Sequence, residues 1–284
     1  MKYMKIGCIG QGFVGKNIAD NFEHRGYEVV RYSVESEYVH NEEKISECDV
    51  VFIAVPTPTT PEGFDYSIVE EVLALVTEGA VAVIKSTILP GTTKKLQEKY
   101  PGITVLFSPE FLCEKTAAYD VANPIINVVG HPLSTEQQKG AAERVLSLFP
   151  KSKYNHVVLA QEAELFKYAH NLQGYFRVIL SNLLFEVGEK TGGDWEAVRK
   201  MMDEDVMMSP YYNSPIHKSG RGAGGACFIK DMAAFRFLYD SLVAEDKVGL
   251  EVLKSLEAKN LDLLGSTGKD KSLVAGVYGI SLLE

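Results

Sequence analysis

Cysteine is scarce in this chain, and the cysteines it has lie far apart. Four thiols occupy positions 8, 48, 113 and 227 of 284 residues, and no two of them form a CxxC pair. This spacing argues against a disulfide framework and against a zinc site. Because disulfide-poor proteins are typical of reducing compartments, we expect a cytoplasmic protein.

Long apolar runs and basic tracts are absent as well. No run approaches the roughly 18 residues that a membrane helix needs, and no secretory leader pattern opens the chain. Acidic residues outnumber basic ones by 38 to 29, so the net charge of -9 gives no global basic field for nucleic acid. The six histidines show no metal-like spacing. We therefore predict no membrane, nucleic-acid or metal partner.

The chain does contain a strand, glycine turn and helix pattern near its start. Apolar residues 4–9 lead into Gly10-Gln11-Gly12-Phe13-Val14-Gly15, and a helix-like stretch follows. In the dinucleotide-binding fingerprint the first glycine allows the tight turn, the second lets the pyrophosphate approach the backbone, and the third packs helix on strand. This context predicts binding of a dinucleotide cofactor, and the alternative is an ordinary tight turn between a strand and a helix.

Apolar strands alternate with amphipathic helices over the first half of the chain. Runs typical of strands occupy 28–31, 49–55, 80–84 and 103–107, and a helical pattern spans 67–77. The alternation predicts an α/β fold with a Rossmann-like, doubly wound parallel sheet that binds ligands at the carboxyl ends of its strands. Polar or proline-bound residues stand at those predicted ends: Pro56, Thr57, Ser86, Thr87 and Glu110.

One expected feature of an NAD site is missing. An acidic residue usually receives the adenosine ribose at the end of the second strand, but that strand ends in Arg31-Tyr32-Ser33. Glu35 is one substitute for this carboxylate. Alternatively, Arg31 and Ser33 could accommodate the 2'-phosphate of NADP. We predict NAD and leave NADP open.

A proline-free stretch, residues 161–190, predicts a long helix whose apolar residues surround most of its circumference. Glu164, Lys167, Asn171 and Gly174 recur at spacings of three, four and three residues, so they share one face of this helix. A buried ammonium without a partner costs several kcal/mol. Lys167 therefore reaches solvent, pairs with Glu164 or lines a polar cavity.

A third pattern, GAGGACFIKD at residues 222–231, surrounds a single cysteine with small residues. Small residues let the backbone come close to a ligand. The apolar pattern that follows predicts a helix whose first turn holds Cys227, where the positive end of the helix dipole favours the nucleophilic thiolate. The alternative is a small core cysteine packed against a glycine turn.

These patterns divide the chain into an NAD-binding domain at 1–160 and a helical domain at 161–266. Further helical patterns lie at 194–203 and 228–264, and the segment Gly265-Ser266-Thr267-Gly268 is interpreted as a linker. Apolar residues surround more of the long central helix than one small domain readily covers, so we predict a homodimer through that helix.

Four motifs occur in one order along the chain. They are the glycine turn, Ser108-Pro109-Glu110-Phe111-Leu112-x-Glu114, Glu164-x-x-Lys167-Tyr168-x-x-Asn171 and Gly224-Gly225-x-Cys227-x-x-Lys230-Asp231. Together they resemble the UDP-glucose/GDP-mannose 6-dehydrogenase family over nearly the whole chain. The resemblance implies an NAD-dependent, four-electron oxidation of the C6 alcohol of a nucleotide sugar, UDP-glucose being the expected substrate. It also implies that residues 267–284 are the remnant of the first strand of a missing third domain.

The resemblance assigns a role to each motif residue. Cys227 would be the nucleophile of a thiohemiacetal and a thioester, while Lys167 and Asn171 stabilise negative charge on oxygen. Glu114 would activate water, with Thr87 and Asp231 positioning it. The expected cofactor contacts are Gly10, Gly12, Phe13, Val14, Gly15, Pro56, Thr57, Ser86, Thr87, Glu114 and Lys230. The expected substrate contacts are Glu110, Phe111, Leu112, Lys167, Asn171 and Gly224.

Two other functions stay open. The 3-hydroxyacid dehydrogenases related to 6-phosphogluconate dehydrogenase share a dinucleotide domain, a long helix and a Lys-x-x-x-Asn pair. They perform a single oxidation and need no thiol, so Cys227 favours the four-electron reaction. A chain without the third domain could instead bind NAD and catalyse nothing.

Overall fold

The computed structural model describes residues 4–35 and 37–279 and divides the chain into two compact units. The first unit comprises the residues up to Thr57 together with Tyr66–Lys167. The second comprises Pro58–Asp65 together with the residues from Tyr168 onward. The division therefore falls at 167/168 rather than at the predicted residue 160, and a short segment of the first half joins the second unit.

The helices and strands follow one another along both units. The strands are β1 (Lys5–Ile9), β2 (Glu28–Tyr32), β3 (Val50–Ile53), β4 (Thr59–Thr60), β5 (Gly63–Phe64), β6 (Val81–Ile84), β7 (Thr104–Phe107), β8 (Ile126–His131), β9 (Tyr154–Leu159), β10 (Ile216–His217) and β11 (Gly220–Arg221). The helices are α1 (Phe13–His24), α2 (Ser67–Leu73), α3 (Thr92–Lys99), α4 (Ala117–Ala122), α5 (Glu136–Leu148), α6 (Ala160–Thr191), α7 (Trp195–Glu204), α8 (Ala226–Leu242), α9 (Lys247–Thr267) and α10 (Lys271–Tyr278). Two 3-10 turns lie at Val39–Asn41 and Glu43–Glu47.

A mostly parallel sheet forms the centre of the first unit. Among the described residues its strands run in the order β2-β1-β3-β6-β7-β8-β9, and each neighbouring pair is parallel except β7 and β8. β3 and β6 are buried along their whole length, so they read as continuous apolar runs rather than as alternating patterns. The Rossmann-like prediction is confirmed, and the antiparallel β7–β8 pair adds a feature that the prediction did not contain.

The core of the first unit fixes where the glycine turn lies. Ile6 and Cys8 of β1 share one buried cluster with Phe22 of α1 and Val145 of α5. Burying these side chains packs α1 against the sheet directly after β1. The turn between β1 and α1 is therefore held at the carboxyl edge of the sheet.

The long helix is confirmed as α6, which has 32 residues and begins in the first unit. In the second unit α8, α9 and α10 share a core that contains Ile229, Leu264, Val274 and Val277. Of the helices in the described ranges, none is both long and apolar enough to cross a membrane.

Two predictions for the end of the chain are wrong. The segment interpreted as a linker is the last turn of α9, and Gly268, at a φ of 67°, caps that helix in the left-handed conformation. The segment interpreted as a strand forms α10 as far as Tyr278, because Val274 and Val277 lie on one face and pack into the core. A short apolar run cannot be assigned to strand or helix by periodicity alone. Residues 280–284 lie outside the described residues.

Candidate functional site

The glycine turn of the first unit has the backbone geometry that the sequence predicts. Gly10 adopts a φ of 85°, and a Cβ there would overlap the Ala54 carbonyl. A Cβ on Gly15 would overlap the carbonyl oxygen of Gly10, because α1 starts so close to β1. A Cβ on Gly12, by contrast, would meet no described atom within 4 Å. This open space at the N-terminus of α1 fits a pyrophosphate that approaches the backbone amides.

Hydrogen bonds tie the ends of β3 and β6 together. The Ser86 hydroxyl donates to the carbonyl of Val55 at 2.6 Å, and the Thr57 hydroxyl donates to the carbonyl of Thr87 at 2.8 Å. Thr57 and Ser86 are buried, whereas Pro56 is exposed. The predicted residues of these two strand ends thus lie together at the carboxyl edge of the sheet, where α/β folds bind ligands.

Arg31, at the end of β2, is held by carboxylates from α1. Its guanidinium donates to Asp20 at 2.6 Å and to Glu23 at 2.7 and 2.9 Å. The buried Ser33 hydroxyl accepts from the backbone amide of Glu35 at 3.3 Å. The charge of Arg31 is therefore neutralised within the first unit.

Lys167 pairs with Glu110 and not with Glu164. Its side chain is 5% exposed, and its ammonium donates to the carbonyl oxygen of Glu110 at 2.7 Å and to the carboxylate at 3.1 Å. The ring centroid of Phe111 lies 5.4 Å from the same nitrogen. Burial acts to raise the pKa of Glu110, but Lys167, a backbone amide and Lys85 outweigh it and hold that pKa below its usual value. The buried ammonium therefore has an ionised counterion.

A second buried lysine, Lys85, directly follows β6. Its ammonium donates to the Ser108 hydroxyl at 3.1 Å and to the Pro109 carbonyl at 3.2 Å, and it lies 5.1 Å from the Phe149 ring centroid. Burial lowers the pKa of Lys85 to about 8, although the nearby Glu110 carboxylate acts in the opposite direction. Sequence reasoning missed this residue. The sequence did contain a signal for it: Lys85 stands between the apolar strand β6 and the residues Ser86 and Thr87, which were predicted to bind a ligand.

Glu164 is fully buried and caps the N-terminus of α3. Its carboxylate accepts from the backbone amides of Gly91 and Thr93, at 2.6 and 2.8 Å, and from the Thr93 hydroxyl at 2.5 Å. Burial raises the pKa of Glu164, and these three donors act against that rise. The first turns of α6 are thereby attached to the segment that follows β6.

In the second unit, Asn171 forms a hydrogen-bonded group with two residues of α8. The Asn171 amide donates to one carboxylate oxygen of Asp231 at 2.6 Å, and the Lys230 ammonium donates to the other at 2.5 Å. Asp231 is 1% exposed. Thr59 of β4 donates to the backbone carbonyl of Lys230 at 3.0 Å. The structure therefore brings together three of the predicted residues of this unit.

Cys227 is exposed in the first turn of α8. The predicted helix is confirmed, and the alternative of a core cysteine is wrong. Gly222 and Gly225 adopt φ values of 87° and 81°, which only glycine tolerates readily. Asn260 holds the loop between them by accepting from the Ala223 amide at 2.7 Å and donating to the Ala223 carbonyl at 3.0 Å.

Two residues that follow α9 hold the same loop. Lys269 donates to the carbonyl of Gly222 at 2.9 Å, and the Asp270 carboxylate accepts from the Gly225 amide at 2.8 Å. A Cβ on Gly224 would overlap that carboxylate. Sequence reasoning missed Lys269 and Asp270, because no local pattern links them to a loop so far away along the chain.

The contacts of the remaining predicted residues are fewer. Glu114 is exposed and makes no hydrogen bond or ion pair with the residues that the structure describes. Phe13 is 40% exposed at the start of α1, and Phe111 packs edge-on against Phe166. Within the described ranges, no group of three or more metal-binding side chains could hold an ion.

Two models of one protein family match this chain. The NAD binding domain of the UDP-glucose/GDP-mannose dehydrogenase family matches residues 36–150, and the central domain of the same family matches residues 161–261. The first match starts after the glycine turn, so the interpretation of that turn depends on its own geometry.

Individual relatives agree with these matches. UDP-glucose 6-dehydrogenase of Streptococcus pneumoniae is 28% identical over 97% of this chain and 78% of its own length. This chain spans 34% to 65% of the length of seven other curated relatives. A UDP-glucose dehydrogenase structure from Pyrobaculum islandicum matches 93% of this chain and 71% of that one, with a TM-score of 0.78 and 25% identity. A structure of 3-hydroxyisobutyrate dehydrogenase from Mycobacterium tuberculosis matches 97% of this chain and 98% of that one, with a TM-score of 0.71. Its 17% identity shows a shared fold alone.

Proposed function

Because this chain belongs to the UDP-glucose/GDP-mannose dehydrogenase family and contains its NAD-binding domain, we propose that it oxidises the C6 alcohol of a nucleotide sugar to the carboxylate. The observation that carries this proposal is the exposed Cys227 thiol, which lies in the first turn of α8 behind a glycine loop. A single oxidation of an alcohol needs no thiol, whereas the oxidation of an aldehyde to an acid gains from a covalent thioester. UDP-glucose is the substrate we propose.

NAD, held at the glycine turn of Gly10, Gly12 and Gly15, would supply the hydride acceptor for both oxidations. Loss of the first hydride from C6 and of the hydroxyl proton leaves an aldehyde. The Cys227 thiolate adds to its carbon, and the resulting alkoxide takes up a proton to give a thiohemiacetal. Loss of the second hydride and of the hydroxyl proton leaves a thioester, and water hydrolyses this thioester to the carboxylate and restores the thiol. Two hydrides are thus removed for each sugar oxidised.

The addition of the thiolate to the aldehyde and the addition of water to the thioester both place negative charge on the oxygen at C6. We assign its stabilisation to Lys167 and Asn171, which stand four residues apart on α6. The buried pairing of Lys167 with Glu110 supports this role, because it holds the ammonium in one place before any substrate binds. Asn171 is fixed in a similar way by its hydrogen bond to Asp231.

Hydrolysis of the thioester needs a base that activates water, and we assign this role to Glu114 with Thr87 and Asp231. Asp231 is buried and ordered by two hydrogen bonds, which suits it to positioning water, and the exposed carboxylate of Glu114 is assigned from the family resemblance. Glu114→Gln is therefore expected to let the thioester accumulate, which mass spectrometry of the intact protein would detect.

We propose NAD rather than NADP as the cofactor. A 2'-phosphate needs a cation at the end of β2, and the guanidinium of Arg31 already binds Asp20 and Glu23. Titration calorimetry with the two cofactors tests this choice directly. Binding of NADP with an affinity equal to that of NAD would contradict it.

We also propose a homodimer through α6. Its exposed apolar residues support this interpretation: Leu165, Phe166, Leu180, Leu183, Leu184 and Val187. Apolar side chains on this scale favour a protein partner over water. Light scattering at micromolar concentration should give twice the mass of one chain, and a monomer mass would refute the dimer.

The substrate is tested with a panel of nucleotide sugars. Purified protein is incubated with NAD and UDP-glucose, GDP-mannose or UDP-N-acetylmannosamine, and NADH formation is followed by absorbance. We expect turnover with UDP-glucose. NAD binding without turnover of any sugar would favour a binding protein, while turnover of a 3-hydroxyacid instead would favour the other dehydrogenase class.

A further inference from the structure

We propose that Lys85 is a positioning residue, which fixes the Ser108–Pro109 segment and thereby the place where Glu110 holds Lys167. This inference rests on the proposed function, because it concerns the site that Lys167 serves in that reaction. Every contact involved lies within the first unit.

The geometry of two consecutive carbonyls carries the proposal. The carbonyl of Pro109 accepts from Lys85 at 3.2 Å, and the next carbonyl, that of Glu110, accepts from Lys167 at 2.7 Å. The segment after β7 is therefore held on one side by the end of β6 and on the other by α6. The Glu110 carboxylate is fixed in addition by the Leu112 amide, which donates to it at 2.8 Å.

The energetics of burial favour a positioning role over a stabilising one. The ammonium of Lys85 makes its hydrogen bonds to neutral oxygens, and the nearby carboxylate of Glu110 is already paired with Lys167. Burying an ammonium that has only neutral oxygens as acceptors costs several kcal/mol of desolvation. The stability of the core alone does not explain a lysine at this position. The hydrogen bonds that its ammonium donates explain it better than its packing does.

A cavity of about 320 Å³ beside Lys85 makes the proposal testable by substitution. Its walls include Ile18, Phe22, Val128 and Phe149. Lys85→Arg can therefore keep the donors without overpacking the core. In Lys85→Ala, an added alkylammonium ion such as propylammonium can occupy the place of the lost ammonium.

Amide hydrogen exchange measures the position of the segment without any substrate. The Ser108 amide donates to Ile84 and reports on the sheet, whereas the Leu112 amide donates to the Glu110 carboxylate and reports on the segment. In Lys85→Met we expect exchange at Leu112 to rise by about tenfold while exchange at Ser108 stays as in the wild type. Lys85→Arg should restore much of the protection, and propylammonium should do the same in Lys85→Ala.

Three results would overturn the proposal. They are unchanged exchange at Leu112 in Lys85→Met, an equal rise at Ser108 and Leu112, and no recovery in Lys85→Arg. If Lys85→Met does not fold, Ser108→Ala takes its place, since it removes one acceptor of the ammonium, and unchanged exchange at Leu112 would then refute the idea. Lys95→Met, an exposed position on α3, serves as the control.

A kinetic measurement separates this inference from the proposed function. If the protein oxidises a nucleotide sugar, Lys85→Met should lower kcat by about tenfold or more with NAD affinity unchanged, because the oxyanion partner is displaced. If no sugar is oxidised, the proposed function fails, and the exchange result still decides the positioning of Glu110. An effect on exchange without any effect on kcat would overturn the functional half of the inference.

Discussion

In the first unit, the ammonium groups of Lys85 and Lys167 are buried and both bond to the segment that contains Glu110, whereas in the second unit the Cys227 thiol is exposed in the first turn of α8. The first group is expensive to bury, so it persists only with close pairing and fixed geometry. The exposed thiol needs no such pairing, and the loop before it is held by the amides of Ala223 and Gly225, which donate to Asn260 and Asp270. The comparison teaches that a fixed buried charge and an accessible thiol are built by opposite means.

Loss of the proposed nucleophile, Cys227, should give the largest effect. Cys227→Ser is expected to lower the overall oxidation of a nucleotide sugar to its acid by about 10³-fold or more, because a serine hydroxyl is a far weaker nucleophile. NAD binding should not change. The assay is NADH formation at saturating cofactor, with Cys113→Ser as the control, because Cys113 is the other exposed cysteine of the described residues. Equal loss in both variants would argue against a specific role for Cys227.

Loss of the buried ammonium should come next. Lys167→Met removes the proposed oxyanion partner and the ion-pair partner of Glu110. We expect kcat/KM to fall by about 10²- to 10³-fold. Lys94→Met, on the exposed surface of α3, should have no effect on the same assay. An unchanged kcat/KM in Lys167→Met would break the contrast between the two units.

Glu164 tests whether the first unit owes its rigidity to buried carboxylates. Glu164→Ala leaves the amides of Gly91 and Thr93 without their acceptor, so the free energy of unfolding should fall by about 2–4 kcal/mol. Denaturant titration measures this value, and Glu189→Ala on the exposed face of α6 is the control.

The same substitution has an expected pH dependence. Burial raises the folded-state pKa of Glu164 above its unfolded value, so the folded protein binds this proton more tightly than the unfolded chain. The contribution is then complete below the unfolded pKa and declines as the pH rises through the folded pKa. The cost of Glu164→Ala should be larger at pH 5 than at pH 8, and the reverse order would contradict this account.

The glycine turn should give the smallest effect and the sharpest contrast. Gly12→Ala adds a methyl group in open space, so it should weaken NAD binding about tenfold or more while unfolding stays within about 0.5 kcal/mol of the wild type. Gly15→Ala would overlap the carbonyl of Gly10 and should destabilise the fold itself. Calorimetry with NAD and thermal unfolding distinguish the two. Equal stability losses would show that Gly12 serves packing and not cofactor approach.

Local patterns explain why much of the first unit could be predicted. A continuous apolar run such as β6 is typical of a strand that is buried on both faces. Gly10 and Gly15 predict the tight turn before α1. The ten residues of the Cys227 motif likewise predicted the start of α8. In each case the decisive neighbours are close along the chain, so the sequence pattern contains them.

Distant contacts explain what could not be predicted. Lys167 pairs with Glu110, which is 57 residues away along the chain, although Glu164 lies one helical turn from Lys167. Spacing on α6 left pairing with Glu164 open as one of three alternatives. Tertiary packing pairs Lys167 with Glu110 instead, and Glu164 caps α3. The end of the chain failed for another reason: Val274 and Val277 suit a strand by composition, while their burial on one face gives a helix.

The ratio of NADH formed to UDP-glucose consumed tests the central claim most directly. Both quantities are measured at complete conversion, NADH by absorbance and the nucleotide sugar by chromatography. Two NADH per UDP-glucose, with UDP-glucuronate as product and loss of that product in Cys227→Ser, is the predicted result. One NADH per sugar, with an aldehyde as product and no dependence on Cys227, would contradict the thioester route.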